Sequence, residues 1–169
     1  MNALKCCLVT LLLAAAPAAT GWTAATEGTA RLEVATVTEG RKHSPNHVLA
    51  IWVTDAKTNF VTTVMQQGYK RAKYLLTWNA ARRGNPGVDG ETGATLTSHG
   101  TVTATWNGRN RKDQLVPDGT YLFFVEFTEG NSQGPLAVFP FAKGASAQSK
   151  KLENQANFKA ITVSFTPEQ

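Results

Sequence analysis

The chain is short of the residues that usually announce chemistry. Of its 169 residues only two are cysteine, and they are adjacent, Cys6 and Cys7. Neighbouring cysteines at one end give no disulfide framework and no paired zinc-ribbon spacing. Histidine occurs three times and charged residues make up 17% of the chain. That charge is too low, and the 42% hydrophobic content too high, for a disordered polymer. Fourteen glycines and seven prolines exclude a collagenous or Pro-rich filament. No apolar run approaches the ~18–20 residues that span a bilayer. Hydrolase signatures are missing too: the sequence contains neither Gly-x-Ser-x-Gly nor His-Glu-x-x-His. A formal charge of +5 is modest and does not by itself imply nucleic acid.

What is present begins with a leader. Residues 1–18, MNALKCCLVTLLLAAAPA, place Lys5 before the apolar run Leu8–Ala16, and Ala16-Pro17-Ala18 is a small-x-small cleavage site. This predicts a secretory signal peptide, with cleavage after Ala18 or as late as Ala25. Either cut removes both cysteines and Lys5, lowering the charge from +5 to +4. The expected mature protein is periplasmic, free of thiol chemistry and without a transmembrane anchor after cleavage. It is expected to bind no nucleic acid.

Residues 26–169 suit one β-sandwich domain, of a length that buries roughly two thirds of its unfolded surface. Seven short β-branched or aromatic runs are read as strands: Arg31–Glu39, Val48–Thr54, Phe60–Met65, Thr101–Trp106, Thr120–Glu129, Leu136–Phe141 and Ala160–Thr166. Leu32, Val34, Thr36 and Thr38 share one parity of the first run. VLAIWVT is almost continuously apolar, which marks a central strand, and Pro140 marks an edge or a bulge. Turn residues punctuate the runs, so the fold class is mainly β, an immunoglobulin-like sandwich. Tyr69–Arg83 (YKRAKYLLTWNAARR) breaks the pattern. It predicts an amphipathic helix of three to four turns, with Gly84 as its stop and Pro86 beyond. A long Gly-rich loop, Gly84–Gly100, follows, so a helix-plus-loop insertion occupies 69–100. Gly144–Lys159 is polar, lacks a hydrophobic period and is read as a flexible hairpin loop.

The sharpest chemical signal lies in that long loop, Asp89-Gly90-Glu91-Thr92-Gly93-Ala94-Thr95. It resembles the flavinylation sequence of extracytoplasmic flavoproteins: Asp, two free positions, Ser or Thr, Gly, Ala, then Ser or Thr. The resemblance implies that a flavin transferase splits FAD and joins FMN to Thr95 through a phosphodiester, reading Asp89, Thr92, Gly93 and Ala94. A threonine hydroxyl is a poor nucleophile alone, so its activation must come from the transferase. Gly93 and Ala94 keep the backbone slim, and Asp89 and Thr92 are expected to hold the loop through side-chain-to-backbone hydrogen bonds. A covalent tether also replaces equilibrium binding with a high effective concentration.

Further residues each allow a site role beside ordinary packing. His99 can donate a hydrogen bond to flavin or phosphate, or be plain loop. Tyr74, Trp78 and Trp106 can stack on a flavin ring, or fill the core. Arg82 and Arg83 can meet a phosphodiester, or sit as solvated cations at a helix C-terminus. His43 and His47 have metal-like spacing, but Pro45 between them disfavours a helix and no carboxylate lies close in sequence, so packing at a strand entry is the reading taken.

Trp106-Asn107-Gly108 and Val116-Pro117-Asp118-Gly119-Thr120-Tyr121 resemble a hairpin of the immunoglobulin-like domain of the flagellar hook-capping protein. With the leader, Pro45–Trp52, the Tyr74/Trp78 segment, Thr92–Thr95 and Ser98-His99-Gly100, they resemble the predicted periplasmic family called domain of unknown function 2271. Asn107 stands where that family commonly has Asp. The resemblance implies an exported electron carrier with covalent FMN and redox partner proteins, a redox subunit rather than a stand-alone enzyme. The reading of a different class is a non-catalytic binding or scaffolding sandwich whose loop meets a partner.

Overall fold

The computed structural model describes residues 24–84 and 87–169. The leader, residues 1–18, and Pro86 lie outside the described residues. The chain is mainly β, two sheets face to face. One sheet has the order β5-β1-β9-β8, from β1 (Gly28–Thr36), β5 (Thr101–Trp106), β8 (Gln148–Lys151) and β9 (Phe158–Pro167). The other has the order β4-β3-β2-β6-β7, from β2 (Val48–Asp55), β3 (Phe60–Gln67), β4 (Glu91–Gly93), β6 (Gly119–Thr128) and β7 (Leu136–Lys143). All pairings are antiparallel except β3 with β4, which is parallel.

Alternation builds the space between the sheets. Ala30, Leu32 and Val34 of β1 meet Leu49, Ile51 and Val53 of β2, Phe123, Val125 and Phe127 of β6, and Ile161, Val163 and Phe165 of β9, all essentially inaccessible. β2 lies between β3 and β6, and both its faces are covered, as its uninterrupted apolar run predicts. Its other parity, Val48, Ala50 and Trp52, forms a second apolar cluster with Ala72, Leu75 and Trp78. Pro140 sits in β7, the edge of its sheet, where a missing donor is tolerated.

The segment over that second cluster is helical for less of its length than its composition suggests. Tyr69–Arg83 is not one helix. A 3-10 turn covers Ala72–Tyr74, Leu75 leaves helical geometry with ψ 76°, and α1 spans only Leu76–Ala81. The break brings Ala72, Leu75 and Trp78 together onto the sheet, while Tyr74 stays half-buried. Asn79 Nδ2 donates to the Ala72 and Leu75 carbonyls, 2.8 Å each, and so bridges the break. The helix start is capped from another element: Thr77 N and Trp78 N donate to the Glu126 carboxylate of β6 at 3.2 and 2.8 Å. Burial raises the Glu126 carboxyl above its usual range, and those two amides act against the rise. Trp78 Nε1 donates to Thr63 Oγ1 at 3.0 Å. α1 ends at Ala81 with Arg82 as its C-cap, so Gly84, with φ +78°, turns the chain three residues beyond the helix rather than acting as its stop.

Two further expectations are corrected. The Gly84–Gly100 stretch is not wholly loop, because Glu91–Gly93 adds β4 to the edge of β3. Gly144–Lys159 is not wholly flexible, because Gln148–Lys151 pairs with Phe165–Thr162 of β9. Both strands are fully exposed, so backbone pairing alone makes them and no hydrophobic period announces them.

Trp78 joins helix, sheet and Glu126. Trp78→Ala is expected to lower stability by ~3–5 kcal/mol through the cavity it leaves. Urea unfolding checks the loss, with the far-UV β signal of the folded state retained.

Candidate functional site

The acceptor-like segment runs along one open edge of the sandwich. Its N-terminal anchor is Asp89. Asp89 N donates to Thr63 O at 3.2 Å, and its Oδ2 accepts from Thr62 Oγ1 at 2.8 Å and Arg111 Nε at 3.1 Å. Asp89 is therefore held by side chains of β3 and the β5–β6 connection, not by the side-chain-to-backbone turn expected of it. Gly90 then passes so close to Val64 that a Cβ there would run into the Val64 backbone. Glu91, Thr92 and Gly93 pair with Met65, Gln66 and Gln67. Thr92 makes no side-chain hydrogen bond among the described residues and points its strand edge to solvent. Gly93 faces Gln67, whose amide would overlap any Cβ at that position; Gln67 Nε2 donates to Glu91 Oε1 at 3.2 Å. Ala94 is exposed.

Thr95 comes next and is half-buried. It lies against Gly68, the residue that follows β3. A Cβ on Gly68 would stand 2.9 Å from Thr95 Oγ1 and 2.5 Å from Val48 Cγ1. Gly68 also has φ +80°, so glycine is required there both for conformation and for space. Gly68 N donates to Gly93 O at 2.9 Å. The Thr95 hydroxyl makes no hydrogen bond among the described residues.

The C-terminal anchor is a buried polar knot. Leu96 and His47 exchange backbone hydrogen bonds of 2.9 and 3.0 Å. The His47 and His99 rings stack at 4.1 Å with 6° between planes, and Phe127 meets both edge-on at 5.5 Å. His99 Nε2 donates to Glu129 Oε1 at 2.6 Å, and its Nδ1 lies 3.0 Å from Thr36 Oγ1. Both ring nitrogens are engaged within the protein, so in this arrangement His99 anchors the segment. Glu129 also accepts from Thr38 Oγ1 at 2.6 Å and from the Glu39 and Arg41 amides at 2.9 and 3.2 Å. Burial alone would raise the Glu129 carboxyl. The donors Thr38, His99, Arg41 and Ser44 outweigh it and draw it down to about 2. His47 Nδ1 donates to Pro45 O at 3.0 Å, which leaves Nε2 as an acceptor with no protein partner. Burial lowers the His47 pKa first, with the neighbouring His99 charge adding to it.

The other aromatic and basic candidates are placed by packing. Trp78 is inaccessible and Trp106 nearly so; Trp106 packs on Tyr121 and Phe141 and donates Nε1 to Arg109 O at 2.7 Å. Tyr74 lies under Lys73 Nζ, 5.1 Å from the ring centroid. Arg82 stacks on Trp78 at 3.9 Å and bonds Asn79 Oδ1, while Arg83 is exposed. His47 packs at the entry to β2 and His43 lies in the preceding turn. No group of three His, Cys, Asp or Glu able to hold a metal occurs among the described residues. Beside Asp89, a polar cleft of about 480 Å³ opens between β3 and β5, lined by Thr62–Val64, Asp89–Gly90, Thr105–Asn107, Arg109–Arg111 and Asp113. Its Arg109 Nη2 meets Glu27 at 2.6 Å and its Arg111 meets Asp89.

The knot makes stability depend on acid. The folded pKa of His47 lies below 6.5 and that of Glu129 below 4.5. A depressed folded pKa gives stability that is complete above the unfolded value and is lost as pH falls through the folded one. The melting temperature is therefore expected to decline once pH drops below about 6.5, and most steeply between about 4.5 and 2. In a pH series of thermal melts, Glu129→Gln should lower the neutral-pH value and flatten the acid limb.

No helix among the described residues is long and apolar enough to cross a membrane. No curated protein and no solved structure matches the chain. A family model does match, over residues 27–160, which takes in β1 to β8, the first three residues of β9 and the whole edge segment. The chain belongs to the family described as predicted periplasmic protein, DUF2271.

Proposed function

We propose that this is an exported flavoprotein that carries FMN on Thr95 Oγ1 through a phosphodiester and serves extracytoplasmic electron transfer. The observation that supports it is the combination at one edge: Asp-x-x-Thr-Gly-Ala-Thr in sequence, exposed Thr92–Ala94, and a half-buried Thr95 whose hydroxyl has no hydrogen-bond partner among the described residues. The residues present suit the group, since an acceptor must enter another protein's active site. The segment before Thr95 is held by β4, three residues paired on one side, and short edge pairings of exposed residues are among the cheapest to break.

The attachment is a phosphoryl transfer. Thr95 Oγ1 forms a bond to the FMN phosphorus of FAD, the pyrophosphate bond breaks, AMP leaves, and the hydroxyl proton passes to a base of the transferase. Asp89, tied to Thr62 and Arg111, fixes where the segment begins. The His47–Leu96 bridge and the His99–Glu129 pair fix where it ends. Gly93 and Ala94 offer the transferase a bare backbone between these anchors. When attached, the flavin supplies the electron chemistry, and the protein sets its exposure and surroundings. The partners are then the flavin transferase and the redox proteins on either side.

Co-expression with an active flavin transferase and magnesium tests the reading by intact mass. The wild type should gain FMN less one water and show a fluorescent band on a denaturing gel. Thr95→Ala should gain nothing while keeping the wild-type melting temperature within a few degrees. Thr95→Ser should retain part of the modification, because the oxygen remains. Asp89→Ala should reduce it. A wild type that stays unmodified beside a modified control substrate rejects the flavin and leaves the binding or scaffolding sandwich.

A further inference from the structure

We infer that Tyr69 is the surface on which the flavin ring rests, an inference that builds on the reading of Thr95 as the FMN acceptor. Among the described residues, most aromatic side chains are committed to the interior. Trp52, Trp78, Phe123, Phe127, Phe139, Phe158 and Phe165 are inaccessible, and Trp106, Tyr121 and Phe141 nearly so. Tyr69 is 87% exposed. A lone exposed aromatic is ordinary on a protein surface; its position is what matters. Tyr69 directly follows Gly68, the residue whose Cα packs against Thr95 Oγ1 and whose N–H bonds Gly93 O at 2.9 Å. The phenol is thus carried by backbone adjoining the acceptor oxygen.

That backbone is also fixed. Tyr69 O accepts from Ala72 N at 3.0 Å, opening the 3-10 turn. Arg71 holds the same turn down through the Asn46 carbonyl at 3.0 Å and the Glu129 carbonyl at 3.4 Å. The backbone is already ordered, so only the two side-chain torsions of Tyr69 have to be fixed when a flat ligand settles on it. An isoalloxazine is a flat, electron-poor ring and a phenol an electron-rich one, a pair that favours offset stacking. Lys70, exposed beside Tyr69, adds a cation near the anionic phosphodiester, a weak and salt-screened contribution. The polar cleft is a poorer resting place. It starts at Gly90 opposite Val64, about 10 Å of strand away from Gly93 opposite Gln67. Its two guanidinium groups already meet Asp89 and Glu27.

Stacking has a spectroscopic signature that a structural role lacks. A phenol in contact with a photoexcited flavin gives it an electron and takes it back on recombination, which shortens the fluorescence lifetime with no net reaction. The test uses transferase-modified full-length protein, with one FMN per chain confirmed by mass. Fluorescence lifetime and anisotropy are then compared with those of free FMN. The wild type should be quenched severalfold and tumble with the protein. Tyr69→Ala should recover a long lifetime and lose anisotropy. Tyr69→Phe should keep the anisotropy and lose the quenching, and Tyr69→Trp should keep both. All of these exposed-site variants should melt as the wild type does. A modified Tyr69→Ala with wild-type lifetime and anisotropy overturns the inference while the acceptor reading stands. A Tyr69→Ala that is no longer modified also overturns it, since Tyr69 would then be read by the transferase. A wild type that gains no mass removes both readings.

Discussion

Seven consecutive residues of β2, Val48–Thr54, are buried. One parity faces the space between the sheets. The other turns Val48, Ala50 and Trp52 outward from it, where only further chain can cover them. That cover is the segment after β3, held by Leu75, Trp78 and the Glu126 cap. Having crossed the outer face of the sheet, the chain emerges on the far side of β3. A strand can lie parallel to the one before it only after such a crossover. β4 accordingly lies parallel to β3, in a molecule whose other pairs are antiparallel. The segment that covers Val48, Ala50 and Trp52 is thus also the connection that delivers Asp89–Thr95 to the sheet edge.

The edge segment is strung between two unlike anchors. At Asp89 the hold is a half-exposed ion pair and a hydroxyl, worth little in solvent. At Leu96–His99 it is the knot around Glu129, which is inaccessible and accepts four hydrogen bonds. Such a carboxylate is costly to strip of its partners. The asymmetry leaves β4 and the Asp89 end as the weaker hold, with Thr95 next to the stronger one. The three-residue pairing between them resists least.

The sequence announced the elements whose side chains alternate or fill space, and missed those made by backbone or by distant partners. VLAIWVT was legible as central because it is buried on both faces, and Pro140 was legible as an edge because it cannot donate. Gln148–Lys151 and Glu91–Gly93 were not, since every side chain in them faces solvent. The helix was overestimated because Lys, Arg and Ala favour helix everywhere, whereas Leu75 is drawn into the sheet cluster and breaks the run. At the site, the acceptor-like string was visible but its anchors were not. Asp89 finds Thr62 and Arg111, and His99 finds Glu129, thirty positions away. Glu129 read only as the end of an aromatic strand. Tyr69 read as the first residue of a helix, with nothing to say that it would stand clear of every apolar cluster.

Gly68 shows how closely the site and the fold share residues despite this separation. It ends β3, adopts the positive φ that turns the chain toward the covering segment, and packs against Val48 of the outer cluster. The same missing side chain leaves room for Thr95. A methyl group at this position would have to displace Val48 Cγ1 or push the threonine away from the edge, and the strained backbone would add to either cost. Thr92 and Ala94 are exposed, so substitutions there leave the core alone, but the hydroxyl's place is determined from the other side, by a glycine that the turn already requires. The edge is thus constrained wherever it leans on the fold: at Gly90 against the Val64 backbone, at Gly93 against the Gln67 amide, and at Thr95 against Gly68.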